Sequence, residues 1–120
     1  WIAEGLAEFY SLNLIKRAGG MNESRYQYAL KKLRTWSKDV ESLTGKQSKG
    51  KTTAAAVILF DQLNKEVLTL TQQKSDLDDI VVELLALKRI DINNLKTAFK
   101  KVTGKSSKHL SSTLISGKEK

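Results

Sequence analysis

The sequence predicts an all-α protein, a single bundle of about five to six helices. Three observations carry that expectation. The chain contains no Pro. Its seven Gly sit mostly between apolar stretches, where helices should stop. Within those stretches the apolar residues recur at three- and four-residue steps, the period of a helix with one buried face.

The elements follow in order. Ile2, Leu6, Phe9, Tyr10 and Leu14 mark the inner face of a first helix over 2–18, ended by Gly19-Gly20 with Lys16-Arg17 at the negative end of its dipole. Asn22 should cap a second helix reaching Val40, with Tyr26, Leu30, Leu33 and Trp36 to Val40 buried. Residues 44–51 (TGKQSKGK) are polar, basic and carry two glycines, as a loop does. A third helix starts near Thr52-Thr53 and runs to about Leu68. It is apolar nearly all round from Ala54 to Phe60, so it should be the most buried element. Ser75 with Asp78 suggests a capping box for a fourth helix over 76–87. Asp91 should cap a fifth over 92–102, with Leu95, Phe99 and Val102 inward and Gly104 as the stop. Ser106 or Ser107 would open a last short helix to about Ile115, followed by a frayed end. The division expected is 1–43 for the first two helices, 44–51 for the basic loop and 52–117 for the remaining helices.

Composition narrows the chemistry. The absence of Cys excludes disulfides, thiolate zinc ligands and cysteine nucleophiles in this stretch. The longest apolar run, Ala54 to Phe60, is far short of the roughly 20 residues a membrane helix needs. A net charge of +8 raises nucleic acid or another polyanion as a partner. Yet the densest lysine groups, Lys46, Lys49 and Lys51, then Lys100, Lys101, Lys105 and Lys108, have no aromatic residue among them on which bases could stack. Nucleic acid is therefore not the expected partner.

Candidate catalytic groups are few. The one histidine, His109, cannot make a two-histidine metal motif and is expected as a partly exposed helix residue. No G-x-S-x-G elbow and no HExxH occur. Gly45 to Thr52 (GKQSKGKT) satisfies the phosphate-loop pattern literally, but that loop must leave a buried strand, and the preceding Trp36 to Leu43 has a helix-end pattern. Glu4 and Glu8 stand four apart on one helix face. Glu4 lies in an otherwise apolar turn, where a carboxylate needs a metal or a basic partner.

Trp1-Ile2-Ala3-Glu4-Gly5-Leu6-Ala7-Glu8-Phe9-Tyr10 resembles the W-x-x-E-G-x-A-x-Y-Y segment of gluzincin aminopeptidases, in particular the glycyl aminopeptidase-like group. Ala54 to Asp61 (AAAVILFD), Asp76 to Ile80 (DLDDI) and Ile92 to Gly104 (INNLKTAFKKVTG) are similar to later segments of that family in order and spacing. The resemblance implies a zinc-dependent aminopeptidase in which an upstream helix carries HExxH, its two His binding zinc and its Glu acting as general base. Glu4 would then be the third zinc ligand, and the later helices would brace it and wall the cleft for a peptide substrate. The chain opens at Trp1 rather than Met, so it is expected to be a piece of such a protein, inactive without the HExxH half.

One departure bears on activity. The family carries a Tyr before the buried helix that donates to the oxyanion. Here that stretch reads Ser48 to Thr53 (SKGKTT), and no Tyr follows Tyr28. Loss of one such donor costs on the order of 10²–10³ in rate. A helical protein-interaction module, degenerate in catalysis, is thus the second expectation, and a basic nucleic-acid or nucleotide binder the third.

Overall fold

The computed structural model describes residues 1–40, 43 and 49–110, with the side chain of Lys49 outside the description. Five helices are found among them and no strand: α1 (Ile2–Arg17), α2 (Glu23–Trp36), α3 (Lys49–Leu70), α4 (Leu77–Ala86) and α5 (Ile92–Thr103). The all-α class expected from the sequence is the class observed.

α3 is the hub. Every other helix packs against it, while α1 pairs with α2 and α4 with α5. The reason lies in its sequence: Ala54 to Asp61 is buried without interruption. The small side chains at Ala54, Ala55 and Ala56 let neighbours approach, and Val57, Leu59, Phe60, Leu63 and Val67 fill the space between them. Phe9 and Leu30 reach this core from α1 and α2. Ile80, Leu84, Leu95 and Phe99 reach it from α4 and α5.

α1 and α3 approach closely at Gly5. A Cβ added at Gly5 would lie 2.6 Å from Ala56 Cβ and 2.9 Å from Phe60 Cε2, so only glycine fits at this crossing. Trp1 tilts over the same Phe60 ring, with centroids 5.9 Å apart. The buried stripe of α1 is Ile2, Gly5, Phe9 and Asn13. Leu14, expected inward, is instead half exposed, because the face that meets α3 drifts round to Asn13.

The caps explain the boundaries. Asn22 Oδ1 accepts from Arg25 N–H at 2.8 Å and starts α2 as expected. α2 ends at Trp36, earlier than the predicted Val40. There the Ser37 hydroxyl donates to the Leu33 carbonyl at 2.8 Å and satisfies one of the helix's last acceptors. α3 begins at Lys49, three residues before the predicted Thr52, and so takes Gly50 and Lys51 into its first turn. The capping box of α4 is Asp76 with Asp79, not Ser75 with Asp78: Asp79 Oδ2 accepts from Asp76 N–H at 3.0 Å, and Asp76 accepts in return. Asp91 and Gly104, the latter at φ 77°, bound α5 as expected. The last predicted helix is not seen at its start, since residues 104–110 are non-helical; 111–117 lie outside the described residues.

Candidate functional site

α1 carries its two glutamates outward. Glu4 and Glu8 are both exposed, on the side of the helix away from the Ile2, Gly5 and Phe9 stripe. No ion pair forms to either among the described residues. The turn around Glu4 is apolar on its inner side only: Ile2 and Gly5 are buried while Glu4 is exposed, so burial does not by itself impose a partner on its carboxylate.

The rest of the W-x-x-E-G segment has a packing role. Trp1 and Gly5 fit α1 onto Phe60 and Ala56, and Tyr10 reaches α4. The Tyr10 hydroxyl donates to Asp78 Oδ1 at 2.6 Å, and Arg17 donates to both oxygens of Asp78, at 2.9 and 3.2 Å. The Arg17 guanidinium holds the Asp78 carboxyl below its ordinary range. Burial first, and the bond to Asp78 second, push the Tyr10 hydroxyl well above its usual value. Two of the segments that carry the family resemblance therefore meet through Tyr10 and Asp78, with Arg17 of α1 joining them.

Zinc takes three or four protein ligands. Glu4 offers one oxygen donor of the right kind. Among the described residues no three His, Cys, Asp or Glu side chains are gathered around a common point. The two histidines implied by the resemblance would have to come from outside these residues.

His109 lies beyond the last described helix rather than on one, contrary to expectation, although it is partly exposed. Its Nδ1 sits 2.8 Å from Glu66 Oε1. The Ser107 hydroxyl donates to the same oxygen at 2.6 Å, and Lys108 N–H donates to Glu66 Oε2 at 3.2 Å. Burial pushes the Glu66 carboxyl up, but these three donors outweigh it and leave it below its ordinary value. The arrangement ties residues 107–109 to α3. The serine hydroxyl and the imidazole Nδ1 both meet this carboxylate.

Of the phosphate-loop match, Gly45 to Ser48 lie outside the described residues. Lys49 to Thr52 form the first turn of α3, and the Lys51 ammonium pairs with Asp39 at 3.1 Å. Among the described residues the element before this stretch is α2 with its C-terminal turn, where a phosphate loop requires a strand. Of the two lysine-rich groups, Lys101 is paired with Glu83 at 2.9 Å.

A feature hidden in the sequence is a groove of about 290 Å³ where α1, α2 and the start of α3 converge. Leu12, Leu33, Trp36 and Val57 line it, with Glu8 and Thr53 as its polar groups. Trp36 and Gly50 were separable in sequence into a helix end and a loop. In the fold the Trp36 ring lies so close to Gly50 that an added Cβ would stand 2.7 Å from it.

No family model, no curated protein and no solved structure matches this chain.

Proposed function

We propose that this chain is the helical part of a zinc-dependent aminopeptidase-like protein, with Glu4 as a carboxylate ligand to the metal. The observation that carries the reading is the division of labour within the W-x-x-E-G segment. Trp1, Gly5 and Tyr10 are committed to packing and to the Asp78 network, whereas Glu4, the one carboxylate of that pattern, is exposed and has no ion pair among the described residues. A ligand carried on a helix wedged against a buried core is held in place before the metal arrives. Zinc bound there would polarise a peptide carbonyl and lower the pKa of a bound water. In this chain Glu4 would hold the metal, and α2 to α5 would keep α1 rigid and form one wall of the cleft. The test is zinc content and peptide hydrolysis by the protein together with any sequence encoded before Trp1. Stoichiometric zinc that falls on Glu4→Gln supports the reading; zinc retention by that variant defeats it.

A second reading, a non-catalytic helical interaction module, is favoured by a different observation. Val82 and Leu85 on α4, with Leu87 and Ile90 just after it, are large apolar side chains left 41–65% exposed. Such a patch suits contact with further protein. Binding to a partner by a protein without zinc would favour this reading.

A further inference from the structure

α2 buries Tyr26 and Leu30 in the core and turns two other rings outward: Tyr28 is 63% exposed and Trp36 50%. Both line a pocket of about 300 Å³, together with Lys31, Lys32 and Thr35. The Lys32 ammonium lies over the Tyr28 ring, 5.5 Å from its centroid, so a cation and a stacking face stand together. Neither Lys31 nor Lys32 has an ion pair among the described residues. We infer that this face binds single-stranded nucleic acid, with a base on Tyr28 and Trp36 and the neighbouring phosphates on Lys31 and Lys32. The inference is independent of the zinc ligand and of the peptidase reading.

Three features argue for that occupant. The first is composition. A sequence-tolerant single-strand site combines cations for the backbone with exposed aromatic faces for the bases. The lysine groups densest in the sequence have no ring among them, whereas α2 supplies both within about two turns, at spacings that keep them on one side of the helix. The second is charge. Glu23, the one acidic residue of α2, is paired with Lys16, and Asp39, the next carboxylate along the chain, with Lys51. Arg25, one turn before Tyr28, is exposed and adds to the positive face of a chain whose net charge is +8. The third is the kind of apolar surface. A helix that lies on lipid sinks its apolar stripe into the membrane, but the stripe of α2 is spent on the core. What remains outside is two rings beside lysines, which suits bases whose faces are free, as they are in a single strand and not in a duplex.

Binding can be read from Trp36 emission in a Trp1→Phe background, with an oligodeoxythymidylate of about ten nucleotides as the probe. Quenching should saturate at low salt, and the affinity should fall as salt rises. Tyr28→Ala should weaken binding at least about fivefold, and Tyr28→Phe, which keeps the ring, should restore it. Lys31→Ala combined with Lys32→Ala should lower the slope of log affinity against log salt by about one to one and a half. All three side chains are exposed, and unchanged far-ultraviolet dichroism would show that the variants are folded. No saturable quenching, equal binding of the same strand paired with oligodeoxyadenylate, or indifference to Tyr28→Ala would overturn the inference. So would equal binding of polyglutamate, which marks attraction to any polyanion, or binding of phosphatidylserine vesicles in preference to the oligonucleotide, which marks a lipid surface.

Discussion

Tyr10 donates a 2.6 Å hydrogen bond to Asp78 across 68 residues of sequence, and Arg17, two turns further along α1, grips the same carboxylate. The pair fixes the helix that carries Glu4 and Glu8 to the start of α4. Because the Asp78 carboxyl is held below its ordinary range, its contribution to stability is fully present above the unfolded carboxylate value, near 4. It is lost as pH falls through the lower folded value. Asp78→Asn should remove this acid-side loss. With both partners more than a third exposed, the cost at neutral pH should be small, under about 1 kcal/mol. Urea unfolding of both proteins between pH 3 and 7 measures it.

Tyr10 makes the opposite prediction at the alkaline end. Its folded pKa is raised, so the folded state favours the neutral phenol. That contribution is present below the unfolded value, about 10, and declines as pH rises beyond it. Spectrophotometric titration should show a tyrosine that ionises only well above that value, and Tyr10→Phe should remove that step.

Gly5→Ala should destabilise the protein by about 1–3 kcal/mol. The new methyl meets Ala56 and the Phe60 ring, which are core atoms rather than the ends of flexible side chains. Denaturant unfolding gives the value. Phe60→Ala, which empties a fully buried position, should cost about 3–5 kcal/mol by the same assay.

Glu66→Ala should loosen residues 107–110 selectively. The carboxylate accepts from the Ser107 hydroxyl and Lys108 N–H and meets the His109 ring, so its loss strips the segment of its shared anchor on α3. Amide hydrogen exchange should accelerate at Lys108 and its neighbours while α1 and α3 stay protected.

Much of the fold is legible in the sequence because its signals are local. Asn22, Asp91 and Gly104 are cap residues whose chemistry acts within one turn, and all three bound helices as expected. The capping box of α4 is off by one because Asp76, Asp78 and Asp79 are chemically alike; Asp78 is drawn away by Arg17 and Tyr10, residues remote in sequence. Gly50 has the composition of a loop residue, yet it enters α3 where the Trp36 ring leaves no room for a Cβ. The groove is illegible for the same reason, since Glu8, Trp36 and Val57 meet only after three helices pack. Glu4 is singled out by resemblance and not by its surroundings, which look like those of any solvated glutamate.

The most direct test of the account is the zinc stoichiometry of the polypeptide together with any sequence encoded before Trp1, compared with its Glu4→Gln variant. Glu4 is exposed, so the substitution should leave folding stability within about 0.5 kcal/mol and isolate the metal effect. One zinc per chain, reduced at least tenfold in affinity by Glu4→Gln together with peptide hydrolysis, is the result expected. Zinc bound equally by both proteins, or by neither, would contradict the assignment of Glu4 as a ligand.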